Sequence, residues 1–280
     1  MLKSLQKAFK VKEVRDRLLY TFMMLVVIRI GCCLPIPGVD PSYLHDFFSN
    51  LQNSGMGFFN AITGGSFSSM SIFALSITPY ITSSIIMQLL TIAIPKLEEM
   101  QKDGEDGRKK IAEYTRYLTV GLALFESCAM AVGLGGKGLL LEDHRNIWGY
   151  LTVVAAMTAG SALLMWIGER ITDNGVGNGI SIVLLINIVS GTPQDMMTLY
   201  ERFMAGRSVA VATVSGIIVL AIIVAIVVFV LVLNDAERRI PVQYSKKMQG
   251  RRMIGGQSTY IPLKVNTANV IPVIFASSIM

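Results

Sequence analysis

Residues 209–233 read VAVATVSGIIVLAIIVAIVVFVLVL, a run of 25 residues without a single charged side chain. A helix of this length rises about 37 Å, which exceeds the roughly 30 Å hydrocarbon core of a bilayer. The whole chain shares this character, since 52% of its 280 residues are hydrophobic and only 16% are charged, against about 25% in soluble proteins. The sequence therefore predicts an all-α protein that crosses a membrane several times.

Six further apolar stretches lie along the sequence. Trp148 and Trp166 bracket one of them and lie about 27 Å apart along a helix, which suits the two interfacial belts of a bilayer. The final stretch has run only about 14 residues where the sequence ends, too few for a span, so we expect a piece of a longer protein. The predicted spans are residues 18–36, 71–95, 115–134, 147–167, 178–197, 209–233 and 267–280.

Lysine and arginine residues are distributed unevenly between the two sides of the predicted membrane. With residues 1–17 in the cytoplasm, 20 of the 25 fall in cytoplasmic segments and four fall outside, while Arg29 lies within the first span. Cytoplasmic loops of membrane proteins carry such an excess. The distribution predicts a cytoplasmic N-terminus, and it explains the net charge of +6 without nucleic acid as a ligand.

Residues 47–95 contain no Asp, Glu, Lys, Arg or His, yet their two halves differ. Residues 71–95 are mainly apolar, whereas residues 47–70 are interrupted by Gly, Ser and Asn. Irregular backbone cannot face lipid, because its amide groups would lack hydrogen-bond partners, but it is tolerated at membrane depth when it packs inside the protein. The pattern favours a re-entrant element at about residues 57–70. An extracytoplasmic loop rich in Ser and Gly is the alternative.

A few polar side chains lie within the predicted spans. Arg29 is near the outer end of the first span, where a long side chain can snorkel to water, and Glu126 and Asn187 lie inside the third and fifth. Ionisable groups inside a membrane are costly and are therefore functional candidates, whereas hydroxyl and amide residues often only join helices. The second span carries a polar stripe made of Thr78, Thr82, Ser84 and Gln88.

The sequence lacks the residue patterns of an enzyme or a metal site. Its only histidines, His45 and His144, fall in predicted outer loops, and no zinc-protease, serine-hydrolase or P-loop motif is present. Three cysteines lie in apolar runs without metal-ligand spacing and are interpreted as packing residues. The stretch GVGNG at 175–179 follows a membrane segment rather than a strand, which predicts a tight cytoplasmic turn and no nucleotide site. We therefore expect no catalytic residue, metal or cofactor.

Two predicted cytoplasmic loops carry much of the charge. The loop at 96–116 mixes acidic and basic residues, as solvated surface does, and a docking site for a cytosolic protein is the alternative. In the loop at 234–266, basic and apolar residues alternate around Gln249-Gly250, which predicts a β-hairpin. Its positive field would attract an acidic protein, lipid head groups or RNA, although membrane topology alone also requires positive charge here.

Motifs spread over nearly the whole chain resemble the bacterial SecY translocon family. Ser69 departs from the family pattern, which often has a basic residue there. The matching motifs are RIG at 29–31, PIPGVD at 35–40, SIFAL at 71–75, PYI at 79–81, IIMQLL at 85–90, GRKK at 107–110, YTRY at 114–117, GNGIS at 177–181, IPLKVN at 261–266 and VIPVIFASS at 270–278.

The resemblance implies a ten-helix channel built from two inverted halves, through which unfolded polypeptide crosses the bacterial plasma membrane or exits sideways into lipid. Residues 18–197 would form the first half, and residues 198–280 would hold helix 6, the basic loop and part of helix 7. A plug at Phe59 to Ser69 is implied, with Phe59, Asn60, Ile62, Gly64, Gly65 and Phe67 as its candidates. The implied pore ring, called the pore-ring residues below, comprises Ile77, Ile81, Ile180, Leu184 and Ile274.

The same resemblance implies a lateral gate and several partners. Thr82, Gln88 and Glu126 are its gate candidates. The implied partners are SecE and SecG-like membrane subunits, the SecA motor ATPase, the ribosome, signal peptides, nascent chains and membrane lipids. Docking of the ribosome or motor is assigned to Arg238, Arg239, Lys246, Lys247, Arg251 and Arg252, together with Arg108, Lys109 and Lys110.

An aliphatic ring is physically consistent with such a channel. A pore that passes chains of any sequence cannot rely on specific hydrogen bonds, whereas an apolar constriction loses water when empty and so blocks ions. The alternatives are a secondary transporter, which would need polar groups at the membrane midplane, and a purely structural membrane scaffold.

Overall fold

The computed structural model describes residues 11–39, 63–134, 140–141, 146–242, 247–249, 252–254 and 259–267. The chain forms two compact units, Met1–Gln194 and Asp195–Met280. Helices dominate the described ranges, as predicted. They are α1 (Lys12–Cys33), α2 (Thr78–Ala93), α3 (Pro95–Lys102), α4 (Glu105–Leu134), α5 (Ile147–Asn174), α6 (Gly179–Phe203) and α7 (Val209–Asp235).

Several of these helices can span a membrane. Within the described ranges, α5, α6 and α7 are each long and apolar enough to cross, and α2 with α3 gives a fourth candidate if that pair, bent by 102°, is counted as one span. Helix α1 has 22 residues and covers most of the first predicted span. Helix α4 has 30 residues and contains the third. The seventh predicted span, 267–280, lies outside the described residues except for its first position.

The second span differs from its prediction at its start. Residues 63–77, called the turn segment below, form a series of turns, and α2 begins only at Thr78. Met70 and Ser76 have φ values of 40° and 52°, in the left-handed region that interrupts a right-handed helix. Pro79 then occupies an early position of α2, where its missing N–H leaves no hydrogen bond unmade. The boundary predicted at Ser71 is therefore seven residues too early for a helix.

Backbone hydrogen bonds tie the turn segment to the chain that follows α1. The Ile36 amide donates to the Met70 carbonyl at 3.0 Å, and the Ile72 amide donates to the Leu34 carbonyl, also at 3.0 Å. Pro35 and Ser71 form an isolated antiparallel bridge between the same two stretches. Irregular backbone in an apolar protein thus finds its hydrogen-bond partners internally, as membrane depth requires.

Two buried clusters make up the core of the first unit. One collects the chain after α1 and part of the turn segment against α4 and α5, with Ile36, Met70 and Leu75 almost fully buried. The second, called the apolar cluster below, joins α1, the start of α2, α5 and α6. Its buried members are Ile28, Cys32, Phe73, Ile77, Leu164, Ile167, Ile171 and Val183, and its partly buried ones are Met24, Leu25, Ile72, Tyr80, Ile81, Ile180, Ile182 and Leu184.

The stretch between α5 and α6 is a tight turn, which confirms the prediction from its glycines. Gly177 has a φ of 72°, which favours glycine. The Asn178 Oδ1 accepts hydrogen bonds from the Ile180 and Ser181 amides at 3.0 and 3.4 Å, the usual way an Asn side chain caps a helix N-terminus. The Thr21 hydroxyl of α1 accepts from the Val176 amide at 3.2 Å and so holds the turn against α1.

The second unit contains α7 and four short strands within its described residues. Strand β1 (Glu237–Val242) pairs antiparallel with β4 (Thr259–Lys264), and β2 (Lys247–Gln249) pairs antiparallel with β3 (Arg252–Ile254). The predicted hairpin is confirmed, since Gln249 pairs with Arg252. The outer β1–β4 pair was not predicted. The Arg239 guanidinium of β1 lies 4.7 Å from the centre of the Tyr260 ring of β4, a cation–π contact across the pair.

Candidate functional site

The structure brings four of the five pore-ring residues into the apolar cluster. Ile77 precedes α2 and Ile81 lies in its first turn, while Ile180 and Leu184 lie four residues apart on one face of α6. Ile77 is 1% exposed, and the other three are half-buried at the edge of the cluster. Ile274 lies outside the described residues.

A glycine of α5 permits this close arrangement. A Cβ atom at Gly168 would lie 2.8 Å from the Ile180 Cδ1 and 3.6 Å from the Ile77 Cδ1, so the ends of both isoleucines reach the same point on α5. Aliphatic side chains meeting at one point offer no hydrogen-bond donor or acceptor. This arrangement can exclude water and ions, and it provides no group that could bind a specific solute.

The described part of the plug candidates is folded into the first unit. Gly64 and Gly65 have φ values of 66° and 81°, which turn the chain, and Phe67 is buried in the core beside Met70. Thr63, next to them, is fully buried. This burial is consistent with the re-entrant interpretation rather than with an exposed loop. Phe59, Asn60 and Ile62 lie outside the described residues.

The gate candidates lie on two helices that pack against each other, α2 and α4. Thr82 is half-buried, and its hydroxyl donates to the Thr78 carbonyl of its own helix at 3.1 Å. Gln88 of α2 is exposed and Glu126 of α4 is half-buried. Their part in a gate stays a prediction.

A buried chain of hydrogen bonds, which the sequence did not predict, links α1, α6 and the turn segment. The Arg29 Nη1 donates to the Ser190 Oγ at 2.9 Å, and the Ser190 hydroxyl donates to the Asn187 carbonyl at 2.6 Å. The Asn187 Nδ2 in turn donates to the Ser76 Oγ at 3.0 Å. The Arg29 guanidinium therefore has a partner on α6, near the outer end of the first predicted span. The sequence identified Arg29 and Asn187 as polar residues within spans, but it gave no sign that Ser76 and Ser190 are their partners.

The basic docking candidates lie in both units. Arg108, Lys109 and Lys110 are exposed in the first turns of α4, and Arg238 and Arg239 are exposed on β1. Lys247 and Arg252 belong to the paired strands β2 and β3, whereas Lys246 and Arg251 lie outside the described residues. Positive charge is thus presented to solvent at the start of α4 and on β1.

An ion pair between α4 and α5 was also not predicted from the sequence. The Arg116 Nε lies 2.8 Å from the Glu169 Oε1, and both side chains are partly exposed. Pairs of this kind contribute up to about 1 kcal/mol. The contact links α4 to α5, and neither residue belongs to the apolar cluster.

Comparison with known proteins gives a consistent result. Residues 71–280 match the family model described as SecY. The protein translocase subunit SecY of Streptomyces scabiei is 46% identical over 100% of this chain and 65% of its own length. That of Pseudomonas aeruginosa is 43% identical over 96% of this chain and 60% of its own length. The chain therefore spans about two thirds or less of the length of these relatives.

Solved structures give the same fold. A structure of a protein conducting channel matches 95% of this chain and 56% of its own, with a TM-score of 0.54 and 21% identity. A structure in which the plug domain of SecY stabilises the closed state of a translocation channel matches 94% and 56%, with a TM-score of 0.56 and 19% identity. Canine Sec61 from a ribosome–channel complex matches 95% and 56%, with a TM-score of 0.51 and 21% identity. At these identities the likeness supports the fold alone.

Proposed function

This chain belongs to the SecY family, and on that premise we propose that it is the larger part of a protein-conducting channel. The channel moves unfolded secretory polypeptides across the bacterial plasma membrane and releases apolar segments sideways into lipid. It performs no catalysis and needs no cofactor of its own. Membership of the family removes the secondary-transporter alternative.

The observation that carries this proposal is the meeting of Ile77, Ile81, Ile180 and Leu184 in one cluster. They come from two separate parts of the sequence. What they have in common is an aliphatic side chain and a place in the apolar cluster. An apolar constriction excludes water from an empty pore, and it can open for any polypeptide because it makes no specific hydrogen bond. Ile274, on the predicted seventh span, would complete the ring.

The plug at Phe59 to Ser69, whose described part is the start of the turn segment, is the proposed inner seal of the channel. Phe67 of this part is buried in the core formed with α4 and α5, and Gly64 and Gly65 allow the chain to fold back on itself. A seal formed by packed side chains and backbone turns can leave the pore without any covalent change. Thr82, Gln88 and Glu126 are the proposed polar positions near a lateral gate, whose seam would lie along the second and seventh predicted spans.

The proposed partners follow from the family. SecE and SecG-like subunits would surround the channel in the membrane, and signal peptides, nascent chains and lipids would meet at its gate. SecA and the ribosome would approach from the cytoplasm, where we place the N-terminus. The ribosome has additional support, since the structurally similar canine Sec61 was solved in a ribosome–channel complex.

The basic loop at 234–266, in which β1 pairs with β4 and β2 with β3 and which is called the basic hairpin below, is the proposed docking surface for these cytosolic partners. Replacing Arg238 and Arg239 together by Glu is expected to weaken binding of the full-length channel complex to ribosomes or to the motor ATPase by about tenfold to a hundredfold at low salt. Each exposed charge contact contributes up to about 1 kcal/mol, and reversal turns two attractions into two repulsions. Co-sedimentation with channel-containing vesicles at low and high salt measures the effect, which should shrink as salt screens the charges.

A matched control is available on the opposite predicted face of the membrane. Arg202, in the last turn of α6, and Arg207, between α6 and α7, are both exposed and allow the same change in net charge. Their replacement by Glu should leave binding unchanged. Equal losses in the two double variants, or no loss in either, would refute docking at the hairpin.

A further inference from the structure

Asn187 is an unusual residue to find in the apolar interior of the first unit. It is 1% exposed and lies one helical turn beyond Val183, a fully buried member of the apolar cluster. Its Nδ2 donates to the Ser76 Oγ at 3.0 Å, while its Oδ1 has no hydrogen-bond partner within the described part of the chain. A buried polar group without a partner raises the free energy of the state that buries it.

The same turn of α6 touches the turn segment at a second point. A Cβ atom at Gly64 would lie 2.8 Å from the Asn187 carbonyl oxygen and 2.9 Å from the Ser190 Oγ. The backbone of Gly64 therefore rests directly on α6. Because the Ser190 hydroxyl also accepts a hydrogen bond from Arg29, this turn of α6 is anchored to α1 as well.

The conformation of Ser76 shows that its surroundings hold it in place. Its φ of 52° lies in the left-handed region, which a serine adopts only at a cost in free energy. Ser76 directly precedes Ile77, the most buried pore-ring residue. The hydrogen bond from Asn187 thus acts at the junction between the turn segment and the pore ring.

We propose that Asn187 is a positioning residue whose hydrogen bond to Ser76, together with the contact of Gly64 on the same turn of α6, clasps the start of the turn segment, residues 63–69, to α6 and sets how readily that part of the segment leaves. The role of the segment as a seal rests on the proposed function, whereas the clasp itself does not. When the segment is docked, the Asn187 side chain makes one bond to the described residues, and its Oδ1 accepts none from them. When the segment leaves, water reaches both ends of the amide. The clasp is therefore weak, because water can hydrogen-bond to the Asn187 Oδ1 only after the segment has left.

This balance predicts opposite effects for two related variants. Ser76→Ala removes the partner that the described residues give the side-chain amide of Asn187, so the docked state is less stable and undocking becomes easier. Adding Asn187→Leu replaces the amide with an apolar side chain of similar shape. Leucine has no polar atom that needs a hydrogen bond when it is buried, and its exposure to water disfavours the undocked state. A residue with a merely structural role would make the double variant worse than the single one.

The experiment measures exposure of Ser66, which is 1% exposed in the docked segment. Ser66→Cys is introduced into the full-length channel complex after Cys32, Cys33 and Cys128 are replaced by Ala, and the rate of maleimide labelling is followed. Ser76→Ala is expected to raise this rate about tenfold. The Ser76→Ala/Asn187→Leu double variant is expected to return it to the parent rate or below.

Ser83→Ala is the matched control. Ser83 is fully buried like Ser76, but its hydroxyl donates to the Pro79 carbonyl of its own helix at 2.7 Å. Its removal should not change the labelling rate. Labelling of Ser76→Ala no faster than that of Ser83→Ala, or labelling of the double variant as fast as that of Ser76→Ala, would overturn the clasp. The clasp would also be overturned if Ser76→Ala labels faster but is equally destabilised as a whole in thermal unfolding.

A second pair of variants tests the contact if Ser76→Ala does not fold. Gly64→Ala and Gly65→Ala both place a Cβ at a positive φ, but only Gly64 faces Asn187, since no atom lies within 4 Å of a Cβ at Gly65. Gly64→Ala should raise the labelling rate several-fold more than Gly65→Ala, and equal rates would contradict the clasp. Translocation by the parent complex is measured in parallel. Absence of translocation would refute the proposed function. The labelling rates of the variants would still show whether Asn187 holds the segment.

Discussion

Asparagine in place of Ile81 or Ile180 is expected to make the empty full-length channel leak ions. Both side chains are half-buried at the edge of the apolar cluster, where a polar amide would hold water that the isoleucine excludes. Burying an aliphatic side chain stabilises a dry site by about 1.5 to 3 kcal/mol, so its loss should raise the hydrated, conducting population about tenfold to a hundredfold. Conductance of planar bilayers that contain the complex without substrate measures the change.

The control lies on the same helix as Ile180. Leu185 follows Leu184 but is 61% exposed, so it points away from the apolar cluster. Leu185→Asn adds the same polar group to α6 and should leave conductance at the parent level. A leak of equal size in Leu185→Asn, or unchanged conductance in both Ile81→Asn and Ile180→Asn, would rule out a pore ring at these positions.

Ile77 differs from its neighbours in the ring, although the sequence motif treats them alike. It is 1% exposed and packs among side chains of α1 and α5, as well as beside Ile180. An asparagine there would be buried without a partner, so lower stability of the complex accompanies any leak. The structure therefore divides the predicted ring into a fully packed member and three partly exposed ones.

Local patterns predicted the regular elements well because those elements depend on neighbouring residues. The charge-free run at 209–233 lies within α7, which spans Val209–Asp235. Alternation around Gln249-Gly250 predicted the β2–β3 hairpin. The glycines at 175–179 predicted the turn before α6. In each case the amino acids that decide the structure are close together in the sequence.

Predictions failed where distant contacts decide the structure. The start of α2 depends on Ser71 and Ile72 bonding to the chain around Leu34 and Ser66, and an apolar profile carries no record of such bonds. Asn187 and Ser76 are 111 residues apart in sequence, and Arg29 and Ser190 are 161 apart. Composition could identify a polar residue in a span as significant, but the identity of its partner requires the folded chain.

A large effect on stability is expected from one methyl group at Gly160. A Cβ atom at this position of α5 would overlap the carbonyl oxygen of Ile72, and the Ile72 amide is already bonded to Leu34. Neither backbone can move cheaply, so Gly160→Ala should lower the free energy of unfolding by about 1 to 3 kcal/mol or more. Gly121→Ala, in the interior of α4 with no atom within 4 Å, should instead raise it by about 0.5 to 1 kcal/mol.

Thermal unfolding of the two full-length variants in the same detergent decides this prediction, because the two shifts should have opposite signs. Gly160→Ala has a further consequence for the pore, since Ile72 is five residues before Ile77 and belongs to the same cluster. Displacing Ile72 from α5 should also displace Ile77 from Ile180, so the destabilised variant should leak ions, whereas Gly121→Ala should not. If Gly160→Ala is as stable and as tight as Gly121→Ala, then α5 does not hold the turn segment, and the packing that brings the pore-ring residues together must come from α1 and α6 alone.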